Sequence, residues 1–235
     1  PKQFRALELN LEGMRSLLSQ APHESQTNSS FFVVELPHPD GSWLSYQIVE
    51  VSILPGQLSA KFPLIHTYKG WAMDGSGSLI RLDVTTQGFH ALVFGSTEPY
   101  VIEPSNRQST SDYISYFVAD LPIPELLKGN WCATTDRNLL STENENGRTA
   151  SRQFGANLKE FRLALVADSL YTAWHGGVTA AMSAMTTTLN QANGFLENEF
   201  AIRLTLIPNN NILIISSGDP FSVNGDVLEM LDENI

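Results

Sequence analysis

Apolar and polar residues change rhythm along this chain, and the changes divide it into three stretches. Over residues 1–140 the dominant period is two. "WLSYQIVEV" sets Leu44, Tyr46 and Ile48 against polar Ser45 and Gln47, the alternation of a strand with one buried face. "FFVVELP" precedes it across "HPDGS", a turn sequence, so the two stretches predict a hairpin. "FRALELN", "FPLIHTYKG", "SLIRLDVT", "GFHALVFG", "PYVIEP" and "DYISYFVA" read as further strands, with Gly and Pro at the junctions. One helix interrupts them. Asn10 offers an N-cap to "LEGMRSLLSQ", Leu11, Met14, Leu17 and Leu18 share one helical face, and Pro22 ends the segment. No segment repeats at a fixed period.

Residues 141–159, "STENENGRTASRQFGANLK", hold few large apolar side chains and many Asn, Ser, Thr and Gly. This composition predicts a solvated, easily cut linker. Arg148 and Arg152 suit a trypsin-like processing enzyme, and a plain interdomain linker is the equal alternative. Beyond it, "FRLALVAD" is a continuous apolar run of strand length, the pattern of a strand covered on both faces. Val178, Ala181, Met182, Met185, Leu189, Ala192, Phe195 and Leu196 then follow helical steps. "IRLTLIP" and "NILIIS" read as strands again, and "GDVLEMLDENI" opens another helix. Strand, long helix, strand predicts a parallel pair joined by a right-handed crossover. The expected fold class is α+β. A mostly β domain spans 1–140, the linker spans 141–159, and an incomplete α/β start spans 160–235, with one sheet face and one edge lacking cover.

Composition adds exclusions. Apolar residues make up 42%, enough for a packed core. Twenty-five Asp plus Glu against 14 Lys plus Arg give a net charge of -11, which repels phosphate backbones and argues against nucleic acid as a partner. No apolar run approaches the ~18 residues of a membrane span. Pro1 in place of Met, with no basic and apolar leader, points to a start made by processing or by design. The lone cysteine, Cys132 in "GNWCATTDR", makes no internal disulfide and leaves the compartment open.

Candidate chemistry is sparse. His23, His38, His66, His90 and His175 are scattered singly, and none forms an H-x-x-x-H pair. Dinucleotide and phosphate-loop glycine patterns are absent, and "GSGS" at 75–78 lacks the setting of a serine nucleophile. Asp168, Glu197, Glu199, Asp219 and Asp226 are the carboxylates a calcium site would draw on, without EF-hand spacing; the bland alternative is solvated surface acids.

"FRLALVADSLYTAWHGGVTAAMSAMTTTLNQANGFLENEFAIRLTLIPNNNILI" resembles the opening of the catalytic domain of reprolysin-like zinc metallopeptidases, adamalysin-type metzincins of a bacterial kind. The opening strand, "YTAWHGG", "LNQANGFLENEFAIRL" and "PNNN" carry the likeness. Upstream, "AP" after the first helix, "ELPHPDGSWLSYQIVE", "FPLIHTYKG" and "TTQGFHALVF" resemble the propeptide of the same group. The family's H-E-x-x-H-x-x-G-x-x-H zinc helix is missing, so the chain alone is expected to be inactive.

The resemblance therefore implies a zymogen fragment of a secreted zinc metalloendopeptidase: propeptide, cleavable linker and the N-terminal part of the protease domain. The zinc ligands would lie mostly outside this chain. Its partners would be the remainder of its own catalytic domain and, after activation, protein or peptide substrates. Cys132 would act as a cysteine switch, its thiolate filling the zinc position that water must occupy. The alternative for Cys132 is a small buried apolar side chain or an idle thiol. His175 stands at a position typical of the family but not as a zinc ligand, and reads as a structural histidine; Gly176 and Gly177 permit a sharp entry to the long helix. Two other readings stay open. One is a non-enzymatic β-rich binding or adhesion module with a small α/β appendage. The other places the zinc helix on a separate, associated chain.

Overall fold

The computed structural model describes residues 1–26, 32–95, 98–107, 109–122, 157–218, 220–221 and 233. Cys132, Arg148, Arg152, Asp219, Asp226, residues 141–156 and most of the helix expected in "GDVLEMLDENI" lie outside the described residues. What is described is a mixed α+β fold with a β-rich N-terminal part.

Eight antiparallel strands form one sheet: β1 (Arg5–Glu8), β2 (Phe32–Pro37), β3 (Trp43–Val51), β4 (His66–Ala72), β5 (Leu79–Thr85), β6 (Gly88–Phe94), β7 (Tyr100–Pro104) and β8 (Asp112–Phe117). Their order is β1-β8-β7-β6-β5-β4-β3-β2, a meander closed at one end by the first strand. The sheet curls until its edges meet. Arg5 on β1 donates to the carbonyls of His38 (3.0 Å) and Ser42 (2.8 Å) in the β2–β3 turn, and Ser115 on β8 donates to Pro37 O (3.1 Å).

Alternation decides the faces. Val34, Leu36, Tyr46, Ile48, Ile80, Leu82, Val84, Phe89, Ala91, Tyr100 and Ile102 fill the inside of the curl. There the hydroxyls of Tyr46 and Tyr100 share a 2.7 Å hydrogen bond, which keeps two buried phenols satisfied. Helix α1 (Leu11–Leu18) plugs this core with Leu18, helped by Leu11 and Met14, and Asn10 caps it by accepting from Gly13 N at 2.9 Å. Leu17 is not part of that face: it is 39% exposed. Gly70 in β4 is required by close approach, since a Cβ there would lie 2.1 Å from Gln47 O.

The intervening positions, Lys69, Arg81, Asp83 and His90, point to the opposite face, and a second unit covers it. Strands β9 (Lys159–Leu163) and β10 (Ile202–Leu206) pair in parallel, in register from Lys159↔Ile202 to Leu163↔Leu206. Two helices connect them: α3 (Ser169–His175) and α4 (Val178–Phe200). A short helix absent from the pattern reading, α2 (Gly56–Ser59), sits in the loop of residues 53–65. That loop inserts Ile53, Leu58, Phe62 and Ile65 among Ala181, Met182, Met185, Leu189, Leu206 and Ile214. The two stretches of sequence therefore share one apolar cluster.

Two expectations are corrected. "FRLALVAD" is not covered on both faces: β9 takes only its start, Phe161 is 50% exposed, and the strand is one edge of a two-stranded sheet. "NILIIS" is not a strand. Residues Asn210–Leu213 form a 3-10 turn, because the Asn210 amide accepts from Leu165 N (2.8 Å) and donates to Leu165 O (3.0 Å), and only Ile214 bridges back to Ala167. "YTAWHGG" leads into the long helix as expected, and its first five residues belong to a separate short helix, α3, capped by Asp168, whose carboxylate accepts from Tyr171 N at 2.6 Å.

Candidate functional site

The face of α4 that meets the sheet is polar. Ser183, Asn190 and Asn193 are fully buried on it. Each has a partner: Ser183 shares a 2.8 Å hydrogen bond with Thr86, Asn190 donates to Leu82 O (2.9 Å), and Asn193 clasps β10 by accepting from Leu204 N and donating to Leu204 O, both at 2.8 Å. Asn193 thus supplies to one edge of β10 the bonds a neighbouring strand would make.

At the C-terminal end of this seam five charged side chains interlock. Glu197 on α4 accepts from Arg81 Nη2 on β5 (2.7 Å) and from Arg203 Nε on β10 (2.6 Å). Arg203 also forks onto Glu24, which takes Lys69 Nζ from β4 at 2.8 Å. Burial alone would raise the carboxyl pKa of Glu24, but hydrogen bonds from Arg203 and Lys69 override it and hold the group at about 2. Glu197 is lowered in the same way, its burial offset first by Arg203 and then by the charges of Arg81 and Lys69. Burial lowers Arg81, with Glu197 opposing.

Nearly three turns earlier on α4, Thr187 Oγ1 donates to Asp83 Oδ1 at 2.8 Å, and His90 Nδ1 lies 3.1 Å from the same oxygen. Burial by itself would push the His90 pKa down, yet the hydrogen bond and charge of Asp83, aided by Glu103, leave it above its usual 6.5. A group raised on folding contributes stability that is complete below the unfolded pKa and is lost as pH rises through the folded one. We expect the His90 imidazole to titrate above 6.5 by NMR, and the thermal midpoint to fall on the alkaline side of that transition; in His90→Gln this part of the pH slope disappears.

His90 borders a cavity of about 350 Å³ between the β6–β7 end of the sheet and the α3–α4 corner. His175 borders it too. It closes α3, its ring tilted against Tyr171 at 4.4 Å and edge-on to Trp174 at 4.7 Å, and its Nδ1 is buried without a partner. Burial lowers its pKa, and the Arg107 charge adds to this. Gly176 (φ 93°) and Gly177 (φ 114°) make the corner after it, the sharp entry the sequence predicts.

The other named residues have separate positions. His23 bonds Ser25 and Ser52, His38 pairs with Asp40 at 2.8 Å, and His66 pairs with Glu50 at 2.8 Å. Asp168 is a helix cap, Glu197 an ion-pair centre, and Glu199 accepts from Asn198. "GSGS" lies in the turn between antiparallel β4 and β5. Among the described residues no three His, Cys, Asp or Glu side chains come together in a metal-holding group. No helix among the described residues is long and apolar enough to cross a membrane.

Neither the five-charge network nor the Asp83–His90 pair is visible in the sequence pattern. Arg81 and Asp83 occupy positions that alternation assigns to solvent, and the only signal is the density of Asn, Thr and Glu on α4. Compared with known proteins, the chain matches no family model and no curated protein.

Proposed function

We propose that this chain is the latent N-terminal portion of a reprolysin-like zinc metalloendopeptidase precursor. In this reading the curled sheet of 1–122 is the propeptide, and β9, α3, α4 and β10 open the protease domain. The observation that supports it best is the polar seam. A helix destined for a permanent core presents an apolar stripe to its sheet. Toward this sheet α4 instead presents Ser183, Thr187, Asn190 and Glu197, each hydrogen-bonded across the seam. Such a surface, unlike an apolar one, tolerates water after its partner leaves, as separable interfaces do. Among the described residues one edge of β9 has no neighbouring strand, and this edge with the exposed Phe161 fits a sheet that continues in further strands.

Processing at Arg148 or Arg152 is proposed on the composition of residues 141–159. Cys132 as the inhibitory zinc ligand is proposed on the sequence resemblance alone. So are zinc, calcium as an optional structural ion, and secretion. The test uses the natural precursor. Peptide hydrolysis should be absent while residues 1–140 are attached and appear once they are removed. Cys132→Ala should raise basal hydrolysis at equal propeptide retention, and unchanged latency in that variant removes the plug. A precursor that hydrolyses no peptide after removal of 1–140 sinks the whole reading.

The alternative, a non-enzymatic β-rich binding or adhesion module with an α/β appendage, draws on the apolar cluster around Leu58, which joins both stretches into one body. In that case residues 1–140 are not released during maturation.

A further inference from the structure

The cavity between β6–β7 and the α3–α4 corner gathers polar groups that latency does not use. Gln87, His90, Glu103, Arg107, His175 and Gln191 line its roughly 350 Å³, within the range of small-molecule sites, about 300–1,000 Å³. Arg107 lies at the rim: its guanidinium is over the Trp174 ring and Nη1 donates to Trp174 O at 3.3 Å. Among the described residues no carboxylate pairs with it. His90 is held in orientation by Asp83 through Nδ1. Glu103, the one carboxylate in the lining, is already engaged by the Tyr116 hydroxyl at 2.6 Å. His175 leaves its Nδ1 buried and without a partner.

We propose that this cavity binds a small carboxylate, held by Arg107 with His90 and His175 as flanking donors. A guanidinium is the side chain whose fork matches a carboxylate. The carboxylate arrives either as a free acid or on the side chain of an acidic peptide. The site stands whether or not the chain is part of a protease precursor, since every residue named lies in the described fold.

The test follows the five imidazoles of the full chain by NMR during titration. One arm adds succinate, the second a blocked Asp-Glu dipeptide, and the control ethylenediamine. Saturable shifts of His90 and His175, with His23, His38 and His66 unmoved, are expected in at least one carboxylate arm. Saturation by succinate alone identifies a free acid, and by the dipeptide alone an acidic peptide. R107M should weaken binding at least tenfold at an unchanged thermal midpoint, and R107K should fall between it and the wild type. The proposal is overturned by the absence of saturable shifts in both carboxylate arms of the wild-type titration, by equal affinity in R107M, or by saturation with ethylenediamine in place of the acids.

Discussion

Glu197→Ala lowers the unfolding free energy by about 3–5 kcal/mol, the range for removing one partner of a buried ion pair. The size follows from what is left behind. Arg81 is 4% exposed, and without Glu197 its remaining acceptor is Asn193 O at 3.5 Å, while its Nη1 already has no partner. Arg203 keeps Glu24, so most of the loss is the stranded charge on Arg81. Glu197→Gln keeps the shape and loses the charge, and should cost less. The same network sets the acid limit. Glu24 is held at about 2 and Glu197 below its usual 4.5, so their contribution is complete above about 4.5 and drains as pH falls toward 2. Urea unfolding at pH 7 and at pH 3 measures both effects. The wild type should lose more stability between these values than Glu197→Ala does. A cost below about 1 kcal/mol at pH 7, with an unchanged acid profile, shows that the five charges are surface-like and add nothing.

How much of this was legible beforehand depends on the range of the interaction. Asn10 as a cap, the hairpin across "HPDGS" and the alternation of Leu44, Tyr46 and Ile48 are local, and each stands in the fold as read. The parallel pairing of β9 with β10 also followed, because strand, helix and strand leave little else to build. Long-range choices did not follow. Helix α4 buries two faces at once. Its apolar face, with Ala181, Met182, Met185 and Leu189, appeared in the periodicity. Its polar face appears only once the sheet offers Asp83, Arg81 and Leu82 O to it. Phe195, counted with the apolar stripe, lies beside that seam at 48% exposure and packs on Phe94 at 4.7 Å. The turn over Asn210–Leu213 was missed for a similar reason. Its apolar letters suit a strand, but the amide of Asn210 bonding to Leu165 decides the backbone.

The seam has an apolar plug as well as a polar clamp, and the two separate in a single experiment. Place a specific protease site between residues 140 and 150 of the full chain, cut it, and run the product by gel filtration. The wild-type pieces should elute together, because the loop of residues 53–65 stays inserted among Met182, Met185 and Leu189. Leu58 is 0% exposed within that insertion. Leu58→Ala costs about 2–5 kcal/mol, which weakens the association of the cut pieces by roughly 30-fold to a few thousand-fold. Leu58→Asp also buries a carboxylate among apolar side chains, an added penalty that either draws in water or forces protonation. We expect the cut Leu58→Asp protein to separate into two species. Glu197→Ala should loosen the pieces without parting them, since the plug remains. If Leu58→Asp pieces stay together and Glu197→Ala pieces come apart, cohesion lies in the charges. The apolar loop would then be a passenger on a seam held by Arg81, Arg203 and Glu24.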